Sequence, residues 1–444
     1  MERPSRSRRS LPPEGEPPVP GAARQAGGGV NLARRRFLQV AGATGLLAAA
    51  GWSLAKPALV NPCRAATPAS LTDSPWLARV WQGMDPAQVW DCHVHLAGVG
   101  DAKSGIDIGP QLSSPLRPLQ YAQRLAYMNA GCANHRGAVD LAYVDRLKNL
   151  VGAMPAGFKV MLFAFDRFHD ETGRALPERS AFYIPDAWAI RQAQAFPSGF
   201  EWVASIHPYR ADAVDALQAA VAQGARAVKW LPAAQGMDPA SARCEPFFKE
   251  LARLDLPLIV HCGEEKAVKG GDTQRLGNPL GLRRALDAGV RVVVAHCASM
   301  GEDADLDAGP QVWRPSFELF ARVMNEPRAQ GRLFGDISAI VLRNRRVRVI
   351  QTLLDRTDWH ARLLHGSDYP LPGILPLISP ATLARVGLLP RGAVDDLETL
   401  REHNPLYFDL ALKRLLASHG QGFPVSVFEA RRFFARPTNT TIAQ

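Results

Sequence analysis

Several features that mark particular classes of protein are scarce in this sequence of 444 residues. Only 6 cysteines are present, and nothing in their spacing resembles the framework of a small disulfide-stapled protein. Charged residues make up 21% and hydrophobic residues 47%, a globular composition that excludes a wholly disordered chain. Long apolar runs are missing as well, because the one candidate, residues 40–55, is diluted by glycine and alanine and is short for a membrane span. A polytopic membrane protein is therefore excluded.

The net charge of +10 is unevenly distributed along the chain. Residues 1–66 contain nine Arg and one Lys against three Glu, so the rest of the chain carries only about +3. A folded nucleic-acid-binding protein concentrates its basic residues in a patch of the fold, whereas here the excess lies in a tail. We therefore predict no nucleic-acid partner.

Residues 1–66 are predicted to be an export signal with a disordered tail. Residues 1–33 are rich in Pro, Gly and Arg and lack apolar periodicity. The motif Arg-Arg-x-Phe-Leu, with Arg34 and Arg35 as its pair, precedes the apolar run and resembles a twin-arginine signal. This resemblance implies the twin-arginine export machinery as a partner and a periplasmic location. A signal that stays uncleaved and anchors the chain to the membrane is the alternative.

From residue 89 onward, short β-branched runs alternate with helical patterns, which predicts repeated βα units and a parallel sheet. The eight predicted strands span residues 89–96, 159–165, 202–207, 225–231, 258–262, 291–297, 333–337 and 362–368. They fit a (β/α)8 TIM barrel over residues 89–435, with a linker at 67–88 and a tail at 436–444. Long insertions are expected after the first and second strands, where they would shape the active-site mouth. An open doubly wound sheet is the alternative, although no glycine-rich phosphate turn follows the first strand.

Four of the predicted strands end in an imidazole or a carboxylate. The first ends in His93 and His95, which face the same way because side chains two apart on a strand share a face. The fifth, sixth and eighth end in His261, His296 and Asp368. A parallel barrel brings these strand ends to one mouth, so the side chains are expected to converge. Neutral imidazoles and a carboxylate suit a divalent ion such as Zn²⁺, present as one ion or two.

The same alternation predicts where the neighbouring cysteines lie. Cys92, Cys262 and Cys297 have the opposite parity to the adjacent histidines, so they are expected to pack beneath the helices rather than bind metal. His365 likewise has the wrong parity for the face of Asp368 and is interpreted as a packing residue. Whether any cysteines pair in an oxidising compartment stays open.

These motifs together resemble the amidohydrolase superfamily, specifically its amidohydrolase-2 branch of metal-dependent TIM-barrel hydrolases, lactonases and non-oxidative decarboxylases. The carrying motifs are Asp-x-His-x-His at 91–95, His-Cys-Gly at 261–263, Ala-His-Cys at 295–297 and His-Gly-Ser-Asp-Tyr-Pro at 365–370. The resemblance implies that His93, His95, His261 and Asp368 bind one divalent metal. It also implies that His296 assists catalysis beside that ion or binds a second one.

Four further residues are candidates for the second metal or the substrate. Lys229 ends the fourth strand, where the resemblance implies a carboxylated lysine bridging two ions; a cation that holds a substrate carboxylate is the alternative. Glu264 lies on the loop after His261 and suits a contact to metal or substrate, or else a solvated loop charge. Asp336 and His207, at the ends of the seventh and third strands, are candidate substrate-binding residues, and Asp336 equally suits a helix cap.

The predicted activity is metal-dependent hydrolysis of an amide, ester or lactone in a small-molecule substrate. The ion would lower the pKa of a bound water toward about 7, Asp368 would accept the proton, and His296 would stabilise the oxyanion or assist proton transfer. Non-oxidative decarboxylation of an aromatic or unsaturated carboxylic acid at the same site is the alternative. A ligand-binding barrel without turnover is a third reading, and the assembly state, monomer or homo-oligomer, stays open.

Overall fold

The computed structural model describes residues 60–65, 67–133, 137–268 and 271–435. The predicted twin-arginine motif and the predicted tail, residues 436–444, lie outside the described residues. In the described part of the chain, strands and helices alternate as the sequence predicts, and the fold is of the α/β class. None of the helices in these ranges is long and apolar enough to span a lipid bilayer.

Within the described residues, eight strands in parallel pairings form the centre of the fold, and each overlaps one of the predicted strands. They are β1 (Trp90–His95), β2 (Lys159–Phe163), β3 (Phe200–Val203), β4 (Val228–Trp230), β5 (Leu258–His261), β6 (Val292–Ala295), β7 (Leu333–Asp336) and β8 (Leu363–Leu364). Their hydrogen bonds define a three-stranded sheet, β1-β2-β3, and a five-stranded sheet, β4-β5-β6-β7-β8. Because the pairings are parallel, the carboxyl ends of the strands in each sheet lie along one edge.

Backbone hydrogen bonds also join the two sheets to each other. The amide of Asp368, just after β8, donates to the carbonyl of His93 in β1 at 2.8 Å. At the other junction the amide of Lys229 in β4 donates to the carbonyl of Ala204, just after β3, at 2.7 Å. The segment after β8 is thereby held next to β1, although the two are far apart in the sequence, and β4 is held next to the end of β3.

Helices follow the strands along the chain. Nine α-helices of the described residues are labelled here: α1 (Val139–Gly152), α2 (Asp186–Ala195), α3 (Ala213–Ala222), α4 (Glu245–Arg253), α5 (Arg283–Asp287), α6 (Ser316–Met324), α7 (Val347–Asp355), α8 (Val394–His403) and α9 (Pro405–Leu415). The other α-helices in the described part of the chain are not labelled; they are Ala69–Thr72, Pro75–Val80, Pro110–Ser113, Pro118–Ala130, Pro232–Gln235, Pro380–Arg385, Val425–Phe428 and Arg431–Phe434. Helix α9 begins where Asn404 accepts a hydrogen bond from the amide of Tyr407 at 3.1 Å, with Pro405 in the first position, and both features favour a helix start.

The insertions predicted after β1 and β2 are present and pair with each other. The first contains a helix of 13 residues, Pro118–Ala130, here named the insertion helix. Strand Asp107–Ile108 of the first insertion pairs antiparallel with Phe182–Tyr183 of the second. Two further antiparallel pairs join Glu302–Ala304 to Trp313–Pro315 and Ala417–Ser418 to Gln421–Gly422. Both insertions follow the carboxyl ends of their strands, so they lie on the side where the predicted site is expected.

The buried apolar side chains form an outer cluster against the helices and a smaller inner cluster among the strands. Cys262 and Cys297 belong to the outer cluster, as the alternation predicts. Cys92 belongs instead to the inner cluster, so its predicted position beneath the helices is wrong. The strand register shifts between Asp91 and Val94, and such an irregularity breaks the strict alternation on which the prediction depended.

Residues 60–65, which the sequence assigns to the export segment, contact the folded domain. Cys63 forms a disulfide with Cys132, 69 residues away and just after the insertion helix. Asn61 is buried, and its amide donates to the side-chain oxygen of Asn129 at 2.9 Å while its side chain donates to the carbonyl of Gly373 at 3.1 Å. These contacts fix the carboxyl-terminal end of the insertion helix.

Candidate metal centre

Three of the side chains predicted to bind metal meet at the strand ends. His95 Nε2 lies 3.1 Å from Asp368 Oδ1, and His93 Nε2 lies 3.5 Å from the same oxygen. Each of the three residues offers one donor atom, and these atoms lie within 4.8 Å of one another. Two ligands of a tetrahedral zinc ion, each bonded at about 2.0 Å, are about 3.3 Å apart. The spacing of the donor atoms therefore fits such an ion.

The other two predicted histidines line the same cavity. His296 Nε2 lies 3.6 Å from the second oxygen of Asp368, Oδ2. The ring of His261 lies 5.3 Å from that of His296, and its Nε2 is buried without a hydrogen-bond partner in the described residues. A buried nitrogen without a partner is costly, and a bound cation would satisfy it. The predicted ligand set is thus brought together, with His261 slightly apart from the tight group.

The ionisation of the centre also suits a cation. Burial lowers the pKa values of His93, His261 and His296, that of His296 to about 3, so all three imidazoles are neutral near pH 7. Burial alone would raise the pKa of Asp368, but the imidazoles of His296 and His93 hold it well below its usual range. Neutral imidazoles beside an ionised carboxylate are the donor set that zinc prefers.

Asp336 lies behind the centre and does not line the cavity. The structure therefore does not place it where a substrate-binding residue was expected. Its side chain is fully buried, and Oδ2 lies 2.8 Å from His93 Nδ1. Its other oxygen accepts the amide of His296 at 2.9 Å. Strand β7 ends at this residue, and the two contacts turn its carboxylate towards β1 and β6. Asp336 therefore orients two histidines of the centre.

Lys229 lies at the centre, as predicted. It is the middle residue of β4 and is buried, and its Nζ is 3.5 Å from His93 Nε2. Burial lowers the pKa of its ammonium group, which makes the neutral amine more accessible than in water. This position is compatible with both predicted roles, a bridging carboxylated lysine and a cation for a substrate carboxylate.

The glutamate that lines the cavity is Glu265, whereas Glu264 takes the alternative position considered for it, that of a solvated loop charge. Glu264 is partly exposed and pairs with Lys266 at 3.2 Å, as a solvated loop charge does. Glu265 is buried, lines the cavity, and has a pKa that burial raises to about 7. The chain turns just before these two residues at Gly263, which has a φ of +83°, a conformation that favours glycine.

His207 does not line the cavity either, so the structure does not place it where it was predicted to contact the substrate. It is fully buried, and its ring lies 4.5 Å from that of His169. Its amide donates to Asp166 Oδ2 at 2.9 Å, and its Nδ1 accepts the amide of Tyr209 at 3.2 Å. These bonds draw the residue into a neighbouring packed cluster.

The remaining cavity walls are mainly apolar. They include Ile106, Ile108, Leu112, Met128, Phe182, Ile184, Val268 and Leu371. Two polar residues of the insertion helix, Arg124 and Tyr127, also line the cavity. Burial raises the pKa of Tyr127, which keeps its hydroxyl neutral. Neither residue belongs to a motif, and their only signal in the sequence is their position in the long insertion after β1.

Imidazoles and a carboxylate gathered at the carboxyl ends of parallel strands form a group that could hold a metal ion, on a fold of the α/β class. Residues 90–388 match the family model described as Amidohydrolase, Amidohydro_2. The match spans well over half of the chain, so the chain belongs to this family of metal-dependent enzymes. No match was found among curated proteins.

Several solved structures are similar to this chain at low sequence identity. An uncharacterized TIM-barrel protein from Bordetella bronchiseptica is 15% identical, with a TM-score of 0.43 over 64% of this chain and 86% of that chain. A protein from Pseudomonas putida, provisionally named 2-pyrone-4,6-dicarboxylic acid hydrolase, is 16% identical, with a TM-score of 0.40 over 78% and 97%. The 2,6-dihydroxybenzoate decarboxylase from Rhizobium is 12% identical, with a TM-score of 0.40 over 78% and 98%.

Proposed function

We propose that this protein is a metal-dependent hydrolase, built on a (β/α)8 barrel, that cleaves an amide, ester or lactone bond in a small molecule. The observation that carries the proposal is the position of Asp368. Its Oδ1 lies 3.1 Å from His95 Nε2, while its Oδ2 lies 3.6 Å from His296 Nε2. One carboxylate oxygen can therefore bind a cation while the other exchanges a proton with the reacting groups.

The residues of the centre fit a divalent ion, most simply zinc. His93, His95 and Asp368 would hold it, and the unpartnered Nε2 of His261 would add a fourth ligand. When bound, such an ion activates water and polarises a scissile carbonyl. A second ion, if present, would involve His296 and Lys229.

Two residues have distinct tasks in this proposal. Asp368 takes up a proton from the attacking water and delivers it to the leaving group. His296 assists proton transfer through Nε2. Its Nδ1 faces the carbonyl oxygen of Ser338 at 3.2 Å and the Ser338 hydroxyl at 2.7 Å, and that hydroxyl itself donates to Asp336, so Nδ1 carries the ring proton and Nε2 is left to accept one. The apolar walls exclude bulk water, which strengthens these interactions.

Non-oxidative decarboxylation of an aromatic or unsaturated carboxylic acid is the second candidate. Arg124 favours it, because its Nε is buried and has no hydrogen-bond partner in the described residues, within an otherwise apolar wall. A substrate carboxylate is a group that a guanidinium binds well, through paired hydrogen bonds.

An isotope experiment separates the two reactions. The zinc-loaded protein is incubated in ¹⁸O-labelled water with a panel of esters, lactones, amides and unsaturated carboxylic acids, with Asp368→Asn as the inactive control. The proposal predicts an acid product that carries ¹⁸O. Release of carbon dioxide together with an organic product that carries no ¹⁸O would contradict the proposal and support decarboxylation.

We also propose export through the twin-arginine route to the periplasm. The disulfide between Cys63 and Cys132 supports this location, because such bonds persist in oxidising compartments. Cleavage at the end of the predicted export segment, residue 66, would remove Cys63, so the mature chain is proposed to begin before Asn61. Replacing Arg34 and Arg35 by lysine should retain the protein in the cytoplasm, and the mass of the exported protein gives the cleavage site. An unchanged periplasmic yield would contradict the proposed route.

A further inference from the structure

Glu265 approaches the centre beside His261. Its Oε2 lies 3.4 Å from His261 Nε2, and both side chains are buried and line the cavity. The two atoms do not form a hydrogen bond with each other, since His261 Nε2 has no such partner in the described part of the chain. A buried carboxylate oxygen and a buried ring nitrogen thus lie close together without a hydrogen bond between them.

The loop after β5 holds the Glu265 carboxylate in this orientation. Its Oε1 accepts the amides of Ala267 and Val268 at 2.5 and 2.8 Å. Its own amide donates to the side-chain oxygen of Gln274 at 3.2 Å. One carboxylate oxygen is therefore fixed by the backbone, which leaves Oε2 free to bind a ligand in the cavity.

The separation of 3.4 Å between Glu265 Oε2 and His261 Nε2 matches that of the other donor pairs. His95 and Asp368 approach to 3.1 Å, and two ligands of one tetrahedral zinc ion lie about 3.3 Å apart. We propose that Glu265 is a further metal ligand, which binds the divalent ion held by His261. This inference rests on the proposed metal-dependent function and adds a ligand that lies outside the motifs of the strand ends.

The matched variants Glu265→Gln and Glu264→Gln test this proposal. Each removes one carboxylate from the same loop, but Glu264 is partly exposed and pairs with Lys266. Zinc affinity is measured by competition with a chromophoric chelator, and cobalt(II) loading reports the coordination by visible absorption. We expect Glu265→Gln to bind zinc at least about ten-fold more weakly and to change the cobalt spectrum, because replacing even a supporting residue of a metal site costs about 10–100-fold. Glu264→Gln should match the wild type in both measurements.

A second variant, Glu265→Asp, tests the proposal if Glu265→Gln does not fold. Glu265→Asp keeps the negative charge but draws the carboxylate back by one methylene, so it should also weaken zinc binding. Wild-type affinity and an unchanged cobalt spectrum in the Glu265 variants that fold would overturn the proposal while leaving the metal centre intact. Failure of the wild-type protein to bind zinc or cobalt would overturn both this inference and the proposed function.

Discussion

Asp336 Oδ2 and His93 Nδ1 lie 2.8 Å apart, both fully buried, one at the end of β7 and the other in β1. An ionised carboxylate can only accept, so Nδ1 carries the proton and Nε2 is left with its lone pair. That nitrogen is the one that faces Asp368 at 3.5 Å. The pair therefore fixes both the tautomer and the orientation of a proposed metal ligand.

Replacing Asp336 by Asn should weaken metal binding without removing a ligand. The amide no longer selects the Nδ1-protonated tautomer of His93, so we expect zinc affinity to fall about 10–100-fold in chelator competition. Asp303→Asn is the matched control, because Asp303 is also buried but accepts a hydrogen bond from Ser316 outside the cavity. Equal zinc affinity for the two variants would contradict the orienting role of Asp336.

Replacing His296 by Asn should separate catalysis from metal binding. His296 does not belong to the tight group of His93, His95 and Asp368, so zinc content should be retained. Loss of a group that assists proton transfer lowers kcat about 10²–10⁴-fold. Steady-state kinetics and metal analysis of the same preparation provide the check. Loss of zinc along with activity would instead make His296 a ligand.

Removing the disulfide should destabilise the folded protein. The Cys63→Ser and Cys132→Ser double variant loses a link that closes a loop of 69 residues, and we expect the free energy of unfolding to fall by about 2–4 kcal/mol. Urea unfolding with and without a thiol reductant measures the change. The reductant should lower the midpoint of the wild type but not that of the variant. Equal midpoints for the two proteins without reductant would contradict a stabilising bond.

Stability above neutral pH should improve when Asp186 is replaced by Asn. Burial raises the pKa of Asp186 from 3.8 to about 7, opposed by a hydrogen bond from the amide of Ser205. The folded state therefore binds this proton more tightly, and the associated stability is lost as the pH rises from about 4 through about 7. Asn keeps the acceptor for Ser205 without the charge. Its Tm should exceed that of the wild type at pH 8 by more than at pH 5; a difference independent of pH would contradict this assignment.

The strand ends were predictable from the sequence because each is a short apolar run that stops at a polar residue. His93, His95, His261, His296 and Asp368 were all identified in this way, and the structure brings them to one cavity. Parallel strands make this inference possible, since their carboxyl ends share an edge whatever their separation in the chain.

Residues outside the regular strands were less predictable. Cys92 lies inside because the register shifts next to it, and a bulge leaves no mark on hydrophobic alternation. Glu265 was passed over for Glu264 because loop geometry, not parity, decides which side chain turns inward. The pairing of Cys63 with Cys132 depends on tertiary contacts of Asn61 that no local pattern encodes.

The insertion helix illustrates the same limit for substrate recognition. Arg124 and Tyr127 line the cavity only because the first insertion folds back over the strand ends. The first insertion pairs with the second through Asp107–Ile108, and residues 60–65 contact the end of the insertion helix; both are long-range contacts. The cavity-lining residues of the insertion helix could therefore not be predicted from the sequence, whereas the candidate metal ligands could.

The central claim is that His93, His95 and Asp368 together hold a divalent cation. The most direct test is the ratio of zinc to protein, measured by elemental mass spectrometry after reconstitution and gel filtration, for the wild type and for the His95→Ala, Asp368→Asn double variant. The account predicts at least one ion per wild-type chain and close to none in the variant. A wild-type protein that retains no metal, or a variant that retains as much as the wild type, would contradict it.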